Sequence, residues 1–588
     1  MLAPRLLIGI AALFAIVDAV ADEPGRDTQY TYKSACMDGG KLKIVEGKEC
    51  PQLVALGRWQ NSVNATGWAY FEVSTKSKFA DPATQAYAAG YVEGALSKQN
   101  IYYHIHNTYE PYCKNYTKFC DRLNVFLNEN HSWMKEQLEK SPKDDPYWQT
   151  VNTTYYQLSG IIDGYEGRDP VPKISYDLHA IHYLNYYGEF YDLDRKFNRT
   201  KDASGGDGHC SAIVKVAPGN KDLFISHVMM EKFQNMMRVL KMYKFDYVAL
   251  QYLIVSILPG EIRSISPELA LQSSLFRYQK DPEIFPGRGV SFSSYPGLLF
   301  SGDDFTLTTA GLAVFETTIS VFKQELYEKT QAKGQLLSWL RTVISYRLAR
   351  SAREWCEIFA RYNSGTFNNQ WVVLDYSKFK VNNPLPPFGL LYVLEQLPGK
   401  VIYRDMTWFL QQHSYFPSYN LPYFQAISET AGYIEQCNKV GDWFRWGKSP
   451  RARIFDRDHG KIVDMDTLTT VMRANDYQHD PLSRCNCTPP YTAEAALSTR
   501  GDLNLRDGKY EFAGQGHLNH GSLDFKGTNL ALAQQMRFRA WSGPTYGNVP
   551  PFKWNEFDFD VPHLGHPDKW DFLHVEHKWE EPIAMKRF

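Results

Sequence analysis

Cys210 is the residue of this sequence whose neighbours point most clearly to chemistry. The segment SGGDGH precedes it and the apolar segment CSAIVKV starts with it. A thiol becomes a nucleophile when a neighbouring base takes its proton or when its pKa falls. A cut between His209 and Cys210 would create such a base, because a free α-amine has a pKa of about 7.7–8.0 and would lie beside the thiol. The arrangement raises the hypothesis that the chain cleaves itself and then uses its new N-terminal cysteine as a nucleophile, although these residues alone do not favour it over a structural cysteine.

Signatures of other hydrolases and of nucleotide-binding proteins are missing from the sequence. It contains no G-x-S-x-G, H-E-x-x-H, P-loop or Rossmann glycine pattern. The histidine pairs in HLGH (563–566) and HVEH (574–577) have the residue type of metal ligands. Histidines in an aromatic C-terminal tail are more often packing or surface residues. We therefore expect no metal site and no cofactor.

Two further motifs invite functional interpretations that the sequence does not favour. Asp303 and Asp304 are adjacent carboxylates, which is one requirement for acid–base chemistry, but in SSYPGLLFSGDDF they are predicted to cap and shape loops. The RGD of Arg500 to Asp502 suggests an adhesion protein, yet three residues carry little information and the following DLN is typical of a turn. We interpret both motifs as structural.

Nine cysteines leave at least one without an intramolecular partner in an oxidising compartment. Short sequence separations favour local disulfides between Cys113 and Cys120 and between Cys485 and Cys487. Cys36 and Cys50 flank a glycine-containing loop and could also pair, but the sequence does not decide their state. Cys356 lies in SAREWCEIFARY, where an amphipathic helical pattern predicts a buried free thiol. The pattern does not decide the state of Cys437, and it leaves Cys210 as the cysteine with the most unusual context.

The N-terminus predicts entry into the secretory pathway. Arg5 precedes an apolar run from Leu6 to Val17, and Ala19-Val20-Ala21 has the form of a signal-peptidase site, so residues 1–21 are a predicted signal peptide. No later segment has about 18 uninterrupted apolar residues, so we expect no integral membrane segment after its removal. Asn-x-Ser/Thr sequons agree with secretion and predict glycosylation at Asn64, Asn115, Asn130, Asn152, Asn198 and Asn486.

Composition limits the classes of partner. Of 588 residues, 44% are hydrophobic and 22% charged, which is typical of a well-packed globular protein. The net charge is −1, and no basic cluster with interleaved aromatic residues occurs, so nucleic acid is not an expected partner.

Local patterns predict a mixed α and β chain with a substantial sheet. CSAIVKVA and LFISHV have the composition of strands and PGNKD that of a turn, which together predict a hairpin starting at Cys210. EKFQNMMRVLKMYKF has apolar residues at helical spacing and is predicted to be a core helix. Residues 22 to about 200 are predicted to alternate helices with polar loops; ATQAYAAGYVEGALS is a small-residue helix suited to close packing. RKFNRTKDASGGDGH is predicted to be an exposed, protease-accessible loop.

Several motifs together resemble the phospholipase B-like family. They run in order from about residue 205 to the C-terminus, with a looser match before that, and read GHCSAIVKVAPGNKDLFISH, SSYPGLLFSGDDF, AVFETTISVF, NSGTFNNQWVVLDY, SYNLPYF, SPRARIF, NDYQHDPLS, YTAEAALSTRGDLN and GPTYGNVPPFKW.

The resemblance implies a fold, a compartment and a reaction. Members of the family are similar to N-terminal-nucleophile hydrolases, with an α+β fold that forms a four-layer αββα sandwich of two stacked antiparallel sheets. They are glycosylated lysosomal or secreted proteins whose precursor is split before the cysteine. The fragments here would be 22–209 and 210–588, remaining associated as one domain. The implied reaction, in lipid catabolism, is hydrolysis of acyl esters of phospholipids or lysophospholipids, and the chemistry suits acyl amides equally.

The resemblance also assigns roles to individual residues. Cys210 would be the nucleophile and its freed α-amine the general base, and His227 matches an active-site histidine. Thr318 matches a residue of the substrate pocket. Asn420 would hydrogen-bond the developing oxyanion, and Arg451 would hold charge near the amine and the substrate. Taken alone, His227, Thr318, Asn420 and Arg451 are each better explained by an ordinary structural role. Inside the matched motifs we favour the functional role for Cys210, His227, Asn420 and Arg451.

Met230 departs from the family pattern. The family usually has an aromatic residue at this position, in the form His-x-x-Trp, and this chain has a flexible thioether in the expected pocket. The departure supports an alternative hypothesis, in which the protein is a processed glycoprotein that binds lipid or peptide with little or no catalysis.

Overall fold

The structure is a computed structural model that describes residues 29–199, 210–247 and 285–585. The predicted signal peptide and His209 at the predicted cut lie outside these ranges. The strands of the described residues are β1 Thr31–Asp38, β2 Lys41–Glu46, β3 Leu53–Ser62, β4 Trp68–Thr75, β5 Cys210–Val216, β6 Leu223–Glu231, β7 Arg238–Lys244, β8 Gly289–Ser294, β9 Phe305–Thr308, β10 Leu312–Thr318, β11 Asn369–Asp375, β12 Leu391–Leu397, β13 Lys400–Asp405, β14 Tyr415–Ser418, β15 Gly521–Ser522, β16 Asp524–Thr528, β17 Arg539–Ser542, β18 Phe552–Lys553 and β19 Lys569–Trp570.

The α-helices of the described residues all lie between strands in the chain. They are α1 Val63–Thr66, α2 Pro82–Leu96, α3 Lys98–His104, α4 Glu110–Cys113, α5 Thr117–Lys140, α6 Pro146–Glu166, α7 Ala180–Asn185, α8 Tyr187–Lys196, α9 Ser338–Leu348, α10 Ala352–Phe359, α11 Thr407–His413, α12 Gln425–Ala431, α13 Tyr433–Val440, α14 Pro450–Asp458, α15 Met465–Met472 and α16 Leu530–Gln534.

Two large sheets form the centre of the molecule. The larger has eleven strands in the order β13-β12-β11-β10-β9-β8-β7-β4-β3-β1-β2, and the smaller has β14-β5-β6-β16-β17 with β15 added beside β6. The predicted hairpin is confirmed, because β5 and β6 pair antiparallel with Cys210 opposite Met229. β5 lies between β14 and β6, so both of its edges are hydrogen-bonded and Cys210 is held by a rigid element.

Three apolar clusters show that the molecule has four layers. Between the sheets, β5 and β6 side chains such as Val214 and Ile225 pack with β9 and β10 side chains such as Phe305 and Phe315. The other face of the larger sheet packs on helices that include α2, α6, α9 and α10. The other face of the smaller sheet packs on α12, α14 and α15. The αββα sandwich implied by the resemblance is therefore confirmed.

One strand pair departs from the expectation of purely antiparallel sheets. β4 and β7 are parallel, with Trp68 opposite Arg238 and Ser74 opposite Lys244. This pair joins the four strands that precede residue 200 to the seven that follow residue 210, so the eleven-stranded sheet is continuous across the predicted cut.

The prediction of helices and loops alone for residues 22–200 is wrong at its start, where β1 to β4 form one end of the larger sheet. Seven consecutive residues of β3 and all of β4 are buried. A strand buried on both faces lacks the period-two alternation that identifies a half-exposed strand, and this explains the error.

The predicted helix over EKFQNMMRVLKMYKF is also wrong. Only a short 3-10 turn at Phe233–Asn235 forms, and β7 follows from Arg238 to Lys244. Both faces of β7 are buried: Val239 and Tyr243 contact the helical layer, whereas Leu240 and Met242 contact the smaller sheet. Apolar residues on both faces coincide with helical spacing by chance. The prediction that this stretch belongs to the core is confirmed.

The small-residue helix is confirmed as α2, which packs closely on α6. A Cβ added to Gly90 would lie 1.9 Å from the carbonyl oxygen of Gln157, and one added to Gly160 would lie 2.1 Å from that of Tyr87. The glycines therefore allow the two helix backbones to touch, with α2 lying between α6 and the sheet.

The two predicted local disulfides form, and the structure settles the cysteines that the sequence left open. Disulfides join Cys36 to Cys50, Cys113 to Cys120 and Cys485 to Cys487. Cys356 is a buried free thiol on α10, as predicted, Cys437 is free and half-buried, and Cys210 is free and completely buried.

The predicted glycosylation sites differ in accessibility. Asn64, Asn115, Asn198 and Asn486 are exposed and Asn152 is half-buried. Asn130 is buried and its side-chain amide donates to the carbonyl oxygens of Ala332 (2.7 Å) and Gln335 (2.9 Å). The prediction for Asn130 is therefore inconsistent with this fold. Over the described ranges, every helix is too short or too polar to cross a bilayer.

Candidate active site

The backbone of Cys210 is held on both sides by polar side chains. Its N–H donates to Oδ1 of Asn420 (3.1 Å), and its carbonyl oxygen accepts a hydrogen bond from Arg451. Arg451 also donates to Asn420 Oδ1 (2.9 Å) and to the carbonyl oxygen of Tyr419 (2.9 Å). Asn420 has a φ of 66°, a left-handed conformation that asparagine tolerates better than most residues. The amide of Asn420 and the guanidinium thus fix the first residue of β5.

The thiol of Cys210 lies in an apolar shell with one carboxylate beside it. It donates to Oδ2 of Asp304 at 3.8 Å and lies 3.9 Å from Sδ of Met229. Phe233 and Leu523 belong to the same apolar cluster. Burial raises the pKa of the thiol well above its ordinary value, and the negative charge of Asp304 adds to the effect. The thiol is therefore protonated until a nearby base removes its proton.

His227 lies on β6 opposite Ala212, which is two residues along β5 from Cys210, so His227 and Cys210 are on the same face of the sheet. An imidazole nitrogen, the Cys210 sulfur and an Asp304 oxygen all lie within 4.8 Å of one another. Burial lowers the pKa of His227 well below its ordinary value, and the positive charge of Lys526 lowers it further. No described residue offers either ring nitrogen a hydrogen bond of good geometry. His227 is therefore a neutral imidazole beside the thiol.

Asp304 and Glu316 form a buried carboxyl pair. Burial raises the pKa of Asp304 to about 7 and that of Glu316 well above its usual range, and each carboxyl group influences the other. Two carboxyl groups in contact cannot both ionise cheaply, so they share a proton. Asp304 has a left-handed backbone conformation, with a φ of 69°, and its carboxylate lies against the thiol.

A group of four charged side chains lies close to this carboxyl pair. Arg238 contacts both Asp303 and Asp524, the latter at 2.6 Å, while Lys526 donates to Asp524 at 2.8 Å. All four groups are completely buried. Two cations are thus matched by Asp303 and Asp524, and no cation of this set is left for Asp304 and Glu316.

The structure brings some of the predicted pocket residues to Cys210 and not others. The carbonyl oxygen of Thr318 accepts from Asn420 Nδ2 (3.1 Å), so Thr318 supports Asn420 through its backbone. The Met230 side chain points away, because it packs with Val228 on the helical side of the smaller sheet, whereas Met229 packs with Cys210. Only the backbone of Met230 is close to the thiol. The expected pocket wall at residue 230 is therefore not formed by its side chain.

Sequence reasoning missed the carboxyl pair. The sequence predicts that Asp303 and Asp304 shape loops. For Asp303 this is confirmed, because its carboxylate accepts hydrogen bonds from the hydroxyls of Ser293 (2.8 Å) and Ser301 (2.9 Å). Asp304 instead faces the thiol. Nothing in the local sequence of β10 distinguishes Glu316, since it takes its environment from strands distant in the chain.

The remaining motifs have structural roles in the described part of the chain. Arg500 is buried and forms a salt bridge with Asp502 at 2.7 Å, so RGD is not displayed for adhesion. His563 stacks on Trp554 and His577 stacks on Tyr70. These tail histidines are packing residues, as expected.

Comparison with known proteins places the chain in a family. The profile of the family described as Phospholipase B matches residues 55–577. The chain belongs to the phospholipase B family. It is 53% identical over 578 residues to "Putative phospholipase B-like 2" of Caenorhabditis elegans, covering 98% of this chain and 94% of that protein. It is 38% identical over 552 residues to the human protein of the same name, covering 92% and 89%.

Solved structures give a weaker likeness. Penicillin V acylase from Agrobacterium tumefaciens aligns with 57% of this chain and 83% of its own, at 10% identity and a TM-score of 0.28. The family assignment accordingly comes from the sequence comparisons, and the four-layer fold from the coordinates themselves.

Proposed function

We propose that the protein is a self-processing hydrolase of acyl ester or acyl amide bonds with Cys210 as its nucleophile. The observation that carries the proposal is the placement of Cys210. It begins a central strand directly after a glycine-rich segment, its nitrogen and carbonyl oxygen are held by Asn420 and Arg451, and its thiol faces Asp304 and His227. An ordinary core cysteine has no need of polar groups on its nitrogen, carbonyl and sulfur at once.

Self-cleavage requires a base other than the α-amine, since that amine does not exist in the uncut chain. Asp304 is the carboxylate in contact with the thiol. In the proposed step Asp304 takes the thiol proton while sulfur attacks the carbonyl carbon of His209. The carbon–nitrogen bond breaks, the proton passes to the leaving nitrogen, and a thioester forms. Water then hydrolyses the thioester, which releases the carboxylate of His209 and the thiol and α-amine of Cys210.

After cleavage the α-amine takes over the role of base. Asn420 accepts a hydrogen bond from the Cys210 nitrogen, and this contact would hold the amine beside its own thiol. The Arg451 cation, bonded to the same residue, disfavours a second positive charge and so keeps the amine unprotonated at lower pH. Because Asn420 Nδ2 is already engaged by Thr318, the contacts support amine positioning for Asn420 more directly than the expected oxyanion contact.

The turnover reaction repeats the same chemistry on a substrate. The thiolate attacks an acyl carbonyl, the alcohol or amine leaves with the proton from the α-amine, and water hydrolyses the acyl-enzyme. The residues packed around the thiol, which are Met229, Phe233, Met236, Leu523 and Phe552, are apolar, and this supports a substrate whose acyl chain is apolar as well. We propose phospholipids or lysophospholipids as substrates, in keeping with the names of the relatives, with acyl amides as the chemically equivalent class.

The proposal includes a compartment and a quaternary arrangement. The signal-peptide pattern and the exposed sequons support a lysosomal or secreted glycoprotein. The β4–β7 pair supports lasting association of the two fragments, because separating them would break a sheet in its middle. The alternative of a processed but non-catalytic binding protein relied on Met230, and its side chain lies away from the thiol.

A turnover experiment tests the proposal. Purified, processed protein is incubated with labelled phospholipid, lysophospholipid and N-acyl amide, and released fatty acid is measured against processed protein whose thiol has been alkylated with iodoacetamide. Release that alkylation abolishes is the expected result. Tight binding without release from any of the three substrates would favour the binding protein instead.

A further inference from the structure

Three side-chain atoms that could each bind a metal ion lie close together beside β5. They are the Cys210 sulfur, a ring nitrogen of His227 and a carboxylate oxygen of Asp304, all within 4.8 Å of one another and all on buried residues. Neither ring nitrogen of His227 makes a hydrogen bond of good geometry with the described residues, and the backbone of Glu316 is the polar group that lies close to the ring. A backbone carbonyl can satisfy only the N–H of a neutral imidazole, so the lone pair of the other nitrogen has no donor, and burying it is costly unless another group occupies it.

The spacing fits a small divalent metal ion. Zinc binds sulfur at about 2.3 Å and nitrogen or oxygen at about 2.0–2.2 Å, so two such ligands of a tetrahedral site lie about 3.6 Å apart. The distance from Cys210 Sγ to Asp304 Oδ2 is 3.8 Å. A thiol, an imidazole and a carboxylate form a donor set that zinc accepts and that magnesium and calcium do not prefer.

The charges around the three donors favour a cation. Arg238 and Lys526 are matched by Asp303 and Asp524. Asp304 and Glu316 are therefore two additional buried carboxyl groups, and they must hold protons or be balanced by another positive charge. A divalent ion bound to the Cys210 thiolate keeps one positive charge, which would balance Asp304, and Glu316 would keep its proton.

Chain cleavage would complete the site. The peptide nitrogen of Cys210 is a poor ligand in the uncut chain, but a free α-amine and its own thiolate form a five-membered chelate ring with a metal. Asn420 holds that nitrogen beside the thiol. We propose that the processed protein binds one zinc ion through the Cys210 sulfur and α-amine, His227 and Asp304. The fourth ligand rests on the proposed self-cleavage, whereas the other three donors are present in either form of the chain.

Zinc at this site would reversibly inhibit the Cys210 nucleophile. A zinc-bound thiolate is unavailable for attack on an acyl carbonyl, and a chelated amine cannot relay a proton. Zinc at concentrations near its dissociation constant would therefore suppress Cys210-dependent hydrolysis, and a chelator would restore it.

Cobalt(II) provides the test, because a thiolate ligand gives it a charge-transfer absorption that the free ion lacks. Processed full-length protein is titrated with CoCl₂ and then with ZnCl₂, and N-terminal sequencing of the same sample establishes whether it is cut. We expect the thiolate–cobalt band in the wild type, its removal by zinc, and its retention in Cys356→Ser, which removes the other completely buried free thiol. Asp304→Asn and His227→Gln should each weaken zinc binding at least about 100-fold.

Each result bears on the proposal separately from the hydrolase activity. No thiolate–cobalt band in cut protein, or unchanged zinc affinity in both Asp304→Asn and His227→Gln, would overturn it. Near-ultraviolet circular dichroism of the metal-free variants shows whether each one folds. If Asp304→Asn or His227→Gln does not fold, the zinc affinity of the one that does fold tests the proposal. Uncut precursor should bind zinc at least about tenfold more weakly than cut protein; equal affinities would remove the α-amine from the ligand set. If the chain is never cut, the self-cleavage proposal fails, and the same titration still measures zinc binding to Cys210, His227 and Asp304 in the uncut chain.

Discussion

Asp304→Asn removes the carboxylate that contacts the Cys210 thiol and keeps the shape of the side chain. In the wild type the thiol donates to Asp304 Oδ2 at 3.8 Å, and the pKa of the thiol is raised by burial. An amide cannot accept the thiol proton. We therefore expect the precursor of the variant to be cleaved about 10²–10⁴ times more slowly than the wild type, the usual contribution of a positioned general base.

The assay follows purified precursor over time on a denaturing gel, which separates the uncut chain from its two fragments. Glu316→Gln is the matched control, since it removes the other carboxyl group of the pair without touching the thiol. We expect a smaller effect there, because Asp304 retains its contact with sulfur. Thermal unfolding of each precursor establishes that the fold survives: Asp304→Asn exchanges a carboxyl group that burial already keeps partly protonated for a neutral amide.

A precursor of Asp304→Asn that is cleaved at the wild-type rate would refute the assignment of Asp304 as the base of the first step. The base would then have to be His227 or a group outside the described residues. Equal slowing by Asp304→Asn and Glu316→Gln would instead assign the role to the pair as a unit.

Three further predictions concern the fold. Burial raises the pKa of Glu395 to about 8, so the folded state holds the proton of this carboxyl group more tightly than the unfolded state. The stability that this proton contributes is complete below about pH 4.5 and is lost as the pH rises through 8. The urea midpoint of the wild type should therefore fall between pH 6 and 9, and that of Glu395→Gln should fall less. Gly90→Ala places a Cβ against the carbonyl oxygen of Gln157 and should lower the free energy of unfolding by about 3 kcal/mol, measured by urea denaturation, whereas a change below 1 kcal/mol would contradict the packing of α2 on α6. Asn64→Gln should remove one glycan by mass spectrometry and Asn130→Gln none, because Asn130 is buried; a glycan on Asn130 would be incompatible with this fold.

The sequence predicts the hairpin at Cys210 and the small-residue helix α2 because their signals are local. Turn residues separate two apolar runs in the first case, and glycines recur on one helix face in the second. β3, β4 and β7 escape prediction for the opposite reason. They are buried on both faces, and their apolar residues carry no period that distinguishes a strand from a helix.

The candidate site shows the same division. Cys210 is recognisable from its neighbours, and Asn420 and Arg451 from family motifs, and all three meet in the structure. Asp304 and Glu316 are different, since their chemistry arises from tertiary burial and from the pairing of cations with other carboxylates. Local sequence cannot report either effect. The direction of the Met230 side chain likewise depends on strand register, which decides the face of the sheet that a residue occupies.

The N-terminus of the mature C-terminal fragment tests the central claim most directly. Sequencing of matured wild-type protein should give a fragment that begins at Cys210, and Cys210→Ala should remain a single uncut chain under the same conditions. A wild-type chain that stays intact through maturation, or a Cys210→Ala chain cut at the same bond, would contradict the account of Cys210 as the nucleophile.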